Sequence, residues 1–314
     1  MSTHAMNTSV HLRRATNGFA LAGAILAMCV LWRDGVTHLV SIWWSSDAYG
    51  HGLFVLPAAI LLIGIGWDRS MPLSVWPKAL WGVAAGAGAY TLGTVTDARL
   101  FQHIGIAFTL ISLPAAFLGR PFAWHHRFAL LFMLTMIPVG DSLIPLLREI
   151  TATAIMGVLS FVNIEAVKEG WLIRTTVGDF SVARACAGLR FLLATFTASL
   201  LLIHLLFTDW RKQVGFLLMA LFVPVIANGL RATLTVIIAH KSGLQIAAGV
   251  DHLLYGWIFF GGIMAVLGVA ALMMADPDAP HRPDLDDARS MPDEMPPPRF
   301  LALVAGLLVA GSIS

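Results

Sequence analysis

Val182-Ala183-Arg184-Ala185-Cys186-Ala187-Gly188-Leu189-Arg190 leads straight into an apolar run, 187–207, that is long enough to cross a bilayer. The stretch places one cysteine between arginines at a membrane boundary. Charge is costly inside hydrocarbon, so arginines there either snorkel to water or serve a site beside them. Two readings stand at this point. A thiol flanked by fixed positive charge is a candidate nucleophile, because the thiolate is the attacking form. Alternatively, Cys186 is a small buried residue and the arginines only anchor the helix. The cysteine alone favours the second reading, and the residues that change the balance lie further along the chain.

The composition supports the membrane assignment. Of 314 residues, 58% are hydrophobic and 12% charged, whereas soluble chains carry about 25% charged residues. Several apolar runs of about twenty residues make this an all-α polytopic membrane protein. The net charge of +2 says little about partners beyond membrane lipid, and nothing in it points to nucleic acid. Cys29 falls inside the first apolar run and Cys186 at a boundary, so no structural disulfide is expected. No Cys-x-x-Cys pair exists, which argues against a thiol oxidoreductase. Arg13 and Arg14 precede an apolar run without a small-residue cleavage site, so that run reads as a retained first span.

About eight transmembrane helices are expected, over 18–32, 52–67, 79–96, 101–118, 128–145, 187–207, 214–238 and 253–274. The segment 33–51 reads as a connection, with Trp43-Trp44 as an interface anchor. It ends in Tyr49-Gly50-His51-Gly52, which either lines a site or forms a solvated turn. Short loops at 67–78, 119–127 and 208–213 each carry two basic residues, which puts the N-terminus on the cytoplasmic side. Residues 146–164 read as an interfacial or half-buried amphipathic helix rather than a span. Trp171–Thr176 and Asp179–Arg184 alternate with period two around Val177-Gly178, the pattern of an extracytoplasmic β-hairpin just before Cys186. The core is therefore expected over 1–275. An acidic, proline-rich linker over 276–299 is expected to be disordered. The start of a further apolar span, 300–314, would then lead to a C-terminal domain.

The span 214–238 holds Pro224 and then Ala227-Asn228-Gly229-Leu230-Arg231-Ala232-Thr233. Proline and glycine in one span invite a break. An arginine at membrane depth marks a site by default, the bland reading being a structural ion pair. His240-Lys241 follows, and Asp251-His252-Leu253-Leu254-Tyr255-Gly256-Trp257 opens the last span. With alternating spans, Cys186, Arg231 and His252 fall on one face of the membrane. Imidazole can take a thiol proton, thiolate can attack a carbonyl, and a guanidinium can stabilise the oxyanion that develops. Such a trio cleaves an amide through an acyl-enzyme and passes the acyl group to water or an amine.

At these residues the sequence resembles the exosortases, in particular exosortase A, and more distantly the archaeosortases. The matching pieces are Ala185-Cys186-Ala187-Gly188-Leu189-Arg190, Ala227-Asn228-Gly229-Leu230-Arg231 and Asp251–Trp257, with Tyr49-Gly50-His51-Gly52 as a further likeness. The resemblance extends over about 15–275. It implies a membrane cysteine protease or transpeptidase with Cys186 as nucleophile, Arg231 as transition-state stabiliser and His252 as acid–base partner. Arg184, Arg190, Asn228, Asp251, Tyr255 and His51 would support the site, and no cofactor or metal is called for. It also implies exported substrates with a C-terminal Pro-Glu-Pro signal, a single span and a basic tail, processed at a bacterial inner membrane with the site facing the periplasm. Such sorting goes with exopolysaccharide production. Ala187 stands where the family often has serine, which removes a hydroxyl near the nucleophile.

Two other classes compete. A carrier or assembly component for exopolysaccharide would show polar residues through mid-bilayer spans, and the first five spans look almost free of them. A metalloprotease would use His51, His240 and His252, but no His-Glu-x-x-His exists.

Overall fold

The computed structural model describes residues 3–68, 70–242, 251–277 and 304; for 3–15, Ala185, Ser242 and 251–257 it describes the backbone alone. Among the described residues the chain divides into two compact units, one built on residues up to Ser46 with Gly52–Pro138, the other on Asp47–His51 with residues 139–277. The apolar run expected from Phe300 and the linker beyond Pro277 lie outside the described residues, Val304 excepted.

The first unit is helical throughout: α1 (Thr3–Leu31), α2 (Arg33–Ser45), α3 (Gly52–Ile65), α4 (Leu80–Val95), α5 (Arg99–Leu118), α6 (Arg120–His125) and α7 (Arg127–Phe132). Its tightest packing joins α4 to α5. A Cβ on Gly86 would come within 2.3 Å of Thr109 Oγ1, and one on Gly105 within 2.6 Å of the Gly86 carbonyl. Backbones approach this closely only where side chains are absent, the usual means of helix association in lipid.

Four expectations for this unit are corrected. Residues 33–45, read as a connection, form α2, set at 87° to α1. Gly35, Leu39 and Trp43 recur every four positions on its buried face, a helical period hidden by Arg33 and Asp34 at its start. Trp43 is therefore core rather than anchor: it is 6% exposed and its indole N–H donates to the Met136 carbonyl at 2.9 Å, while Trp44 is 81% exposed. The span drawn over 128–145 ends at a short 3₁₀ turn, Met133–Met136. Pro138 and Gly140, at φ +125°, then stop the helix. Nor is this unit free of polar groups. His103, 2% exposed, lies 3.0 Å from His38, and a cavity of about 610 Å³ is lined by Asp34, His38, Tyr90, Asp97, Arg99 and Gln102.

The second unit holds α8 (Ile144–Phe161), β1 (Ala166–Glu169), β2 (Leu172–Thr175), β3 (Gly178–Ser181), a 3₁₀ turn at Arg184–Ala187, then α9 (Leu189–Leu206), α10 (Trp210–Ser242) and α11 (Asp251–Met274). The expected hairpin is present with its turn at Thr176-Val177, and β1 adds a third antiparallel strand in the order β1-β2-β3. With its preceding 3₁₀ turn, α8 is long and apolar enough to span, contrary to the interfacial helix expected there. The proline and glycine of α10 do not break it. Pro224 lacks the N–H that would bond the Ala220 carbonyl, and Thr195 Oγ1 stands 3.1 Å from that carbonyl. Asp276, expected in the linker, instead accepts the N–H groups of Thr208 and Asp209 at 2.8 and 3.1 Å and pairs with Lys212. These partners hold its carboxyl well below the usual range.

By length and composition α5, Asp141–Phe161, α9 and α10 qualify as membrane spans, or five if the bent α1–α2 pair counts as one. Gly52–Ile65, Arg127–Met136 and Ile258–Met274 are apolar but shorter. Among the described residues, then, four or five of the about eight expected spans meet the length and composition of a full span, with shorter apolar helices beside them. Large apolar side chains such as Phe54, Ile60, Phe222 and Ile226 are more than 60% exposed, as expected of surface meant for lipid rather than water.

The sheet is held to the helices mainly by burial. Ile173 and Val182 pack with Ala152, Ile155 and Leu159 of α8 and Val236 of α10, each large residue contributing about 1.5–3 kcal/mol. Arg148 of α8 adds a polar clamp. Its Nε donates to the Val182 carbonyl at 2.6 Å while its guanidinium lies 3.7 Å over the Trp171 ring. Arg148→Ala strands that carbonyl and removes the ring contact, an expected loss of about 2–3 kcal/mol. Glu149→Ala breaks a partly exposed pair with Lys168 and a long contact from the Thr153 hydroxyl, together worth under about 1 kcal/mol. Thermal unfolding in detergent should therefore show a clearly lower Tm for Arg148→Ala than for Glu149→Ala.

Candidate active site

Cys186 sits in the 3₁₀ turn between β3 and α9. Its N–H donates to the Ala183 carbonyl at 3.0 Å and its own carbonyl accepts the Asn228 amide at 2.8 Å. The chain then reverses at Gly188, which adopts φ +82°, ψ 6°. A Cβ there would lie 2.7 Å from Asn228 Cγ. Both the left-handed backbone and the close approach require glycine. Asn228 is 1% exposed and also reaches Thr151 Oγ1 at 3.3 Å, so one amide ties α10, α8 and the cysteine turn together.

Asn228, Arg231, Ala232 and Thr235 follow one another along one face of α10 at helical spacing. Arg231, 3% exposed, lines a cavity of about 240 Å³ together with Cys186, Ile155, Ile173, Val236 and the β3 residues. Two of the three residues singled out from the sequence thus share one cavity. The guanidinium of Arg231 lies 5.3 Å from the centre of the Phe191 ring, and that of Arg190 lies 4.7 Å from it. Phe191 in turn packs edge-on against Phe259 and stacks on Phe260 of α11.

His252 begins α11 with Asp251, and Tyr255 follows one turn later. The side chains of all three lie outside the described residues. Arg184 is 71% exposed at its side chain and stands 3.8 Å from Asp141. The Asp141 carboxylate also faces Tyr49, whose phenol is pushed up to about 12 by burial first and by that negative charge second. Tyr49 therefore remains protonated at neutral pH. Ala48 packs with Ala187 and Leu189 in one apolar cluster. The Tyr49-Gly50-His51 turn is accordingly built into the support of the cysteine turn, through Tyr49 and Ala48. His51 itself does not line the cavity. Arg190 is held by the Phe191 ring rather than pointing into the cavity lining. Among the described residues no three His, Cys, Asp or Glu side chains gather as a metal site.

Four contributors were missed in the sequence. Asp141 was legible, since a lone carboxylate in an apolar run marks a site, but the span drawn through it hid the break. Phe191 falls inside the span expected over 187–207, and Thr151 and Arg148 inside the amphipathic helix expected over 146–164, so none of the three stands out.

No curated protein and no solved structure gives a significant match to the chain. Residues 43–269 match the family model of the transmembrane exosortase (Exosortase EpsH). That interval takes in the Tyr49 turn, the Cys186 turn, the Arg231 face of α10 and the start of α11. The chain belongs to the transmembrane exosortase family, a family of membrane cysteine proteases and transpeptidases.

Proposed function

We propose that this chain is a cysteine transpeptidase that cleaves a C-terminal sorting signal from exported proteins. The observation that carries the proposal is the shared cavity of Cys186 and Arg231. Thiolate of Cys186 attacks the scissile carbonyl and forms an acyl-enzyme. The guanidinium of Arg231 stabilises the oxyanion, where a planar fork of donors in a site shielded from water has its largest effect. His252 takes the thiol proton and returns it to the leaving amine. Seven positions, two helical turns, separate it from Phe259, which packs on the Phe191 ring that Arg231 also approaches. Water or an amine then releases the acyl group.

The proposed substrates carry a Pro-Glu-Pro signal, a single span and a basic tail. The proposed setting is a bacterial inner membrane with the cavity facing the periplasm. The length of α10 supports that side. Its basic end, Arg211-Lys212, and Arg231 are about twenty residues apart, or about 30 Å of helix, the full thickness of the hydrocarbon. If Arg211 and Lys212 mark the cytoplasmic boundary, Arg231 and the cavity lie at the opposite one.

Co-expression of a Pro-Glu-Pro substrate with wild type and Cys186→Ala, read as intact substrate mass, tests this directly. Cys186→Ala should leave the C-terminus uncut, and normal processing by that variant would end the proposal. Arg231→Lys should lose about 10²-fold or more in kcat, the usual cost of removing an oxyanion donor. A rate near wild type would remove the oxyanion role from Arg231.

His252→Ala tests the remaining assignment. It should abolish processing while leaving the protein folded by thermal unfolding, and retained processing would exclude His252 as acid–base partner. In intact spheroplasts, a membrane-impermeant maleimide should label Cys186 before Cys29. Labelling of Cys186 only after permeabilisation would reverse the orientation.

A further inference from the structure

We propose that the substrate binds as a fourth strand on the open edge of β3, an inference that rests on the reading of Cys186 as nucleophile. The strand order β1-β2-β3 leaves β3 with one neighbour. Its register pairs Gly178 with Thr175 and Phe180 with Ile173, and the Val182 N–H donates to the Trp171 carbonyl at 2.9 Å. An antiparallel ladder alternates between residues that exchange both hydrogen bonds and residues that exchange none. Gly178, Phe180 and Val182 therefore direct their backbone groups to β2, and Asp179 and Ser181 direct theirs away from it. Both are exposed, and among the described residues nothing bonds their N–H or C=O groups.

These two residues line the same cavity as Cys186 and Arg231. An extended peptide entering it meets a row of unpaired donors and acceptors at β3 and apolar walls at Ile155, Ile173 and Val236. Near lipid, where water is scarce, an extended backbone is costly until each polar group finds a partner. Strand addition supplies those partners on one side, with specificity left to alternate side chains. One substrate residue would exchange two hydrogen bonds with Ser181 or Asp179, and the residues on either side of it would turn their N–H groups away. A signal with proline at every second position fits that phase, because proline is tolerated only where no ladder donor is needed.

The test uses the full-length enzyme in liposomes and synthetic signal peptides carrying one N-methyl group at successive positions. Methylation should cut kcat/KM about tenfold at the residue between the prolines and at every second position counted from it, and little at the positions between, the loss expected for one hydrogen bond. Uniform loss, or tolerance at every position, would overturn strand addition. On the enzyme side, Ser181→Pro removes an edge donor without removing a bond to β2, and should raise KM about tenfold while Ser181→Ala stays within about twofold. The rate of Cys186 alkylation by a small neutral reagent reports whether Ser181→Pro is folded. If it is not, the methylated peptides on wild type decide alone. Processing by Cys186→Ala would defeat the nucleophile reading itself, whereas an inactive Cys186→Ala with no alternation defeats only the strand.

Discussion

The Asn228 amide, 2.8 Å from the Cys186 carbonyl, is the contact on which the site's geometry depends. A carbonyl in a turn between a strand and a membrane helix has no ladder partner, and leaving it unpaired when buried costs about 1–3 kcal/mol. Asn228 supplies the partner from α10, and Gly188 makes room for it. The same amide reaches Thr151 on α8. The cysteine, the helix that carries Arg231 and the helix beneath the sheet are therefore fixed to one another by a side chain that has no place in the chemistry itself.

That arrangement asks α10 to run unbroken past a proline, and the structure shows how. Thr195 stands within 2.7 Å of the Phe191 carbonyl and 3.1 Å of the Ala220 carbonyl that Pro224 leaves without its N–H. A single hydroxyl proton serves one acceptor at a time, so the accommodation is a shared one between α9 and α10. Reading Pro224 as a break was reasonable from α10 alone. The residue that prevents the break lies on another helix, about thirty positions earlier.

The same pattern explains what else could and could not be read from the sequence. The strands around Thr176-Val177 and the cysteine turn were legible because their signals are local: period two, a glycine and a boundary arginine. Cys186 and Arg231 could be placed on one face because span alternation is a counting argument, which survives some errors of count. Helix α2 was missed because two charges open it, and α8 was misplaced because Arg148 and Thr151 look solvated in sequence but bond Val182 and Asn228. Trp43 looks like Trp44 in sequence, and only the Met136 carbonyl distinguishes them. The polar interior of the first unit was invisible for a similar reason: His38 and His103 are 65 positions apart, and each alone reads as a boundary residue.

The Phe191 ring shows how such a site can hold positive charge beside lipid. Arg190 and Arg231 both approach it, at 4.7 and 5.3 Å. Each ring contact contributes about 0.5–2 kcal/mol, more as water is excluded. That does not offset the full cost of bringing a guanidinium out of water, so the ring's role is mainly one of position. A ring contact draws on the quadrupole of the aromatic face, so it holds a guanidinium without bringing a second charge beside it. A carboxylate in place of the ring would pair with the guanidinium and neutralise its charge. Phe191, three positions after Gly188, therefore sets the arginine's place without cancelling its charge, and its stacking on Phe260 ties that position to the helix that begins with Asp251 and His252.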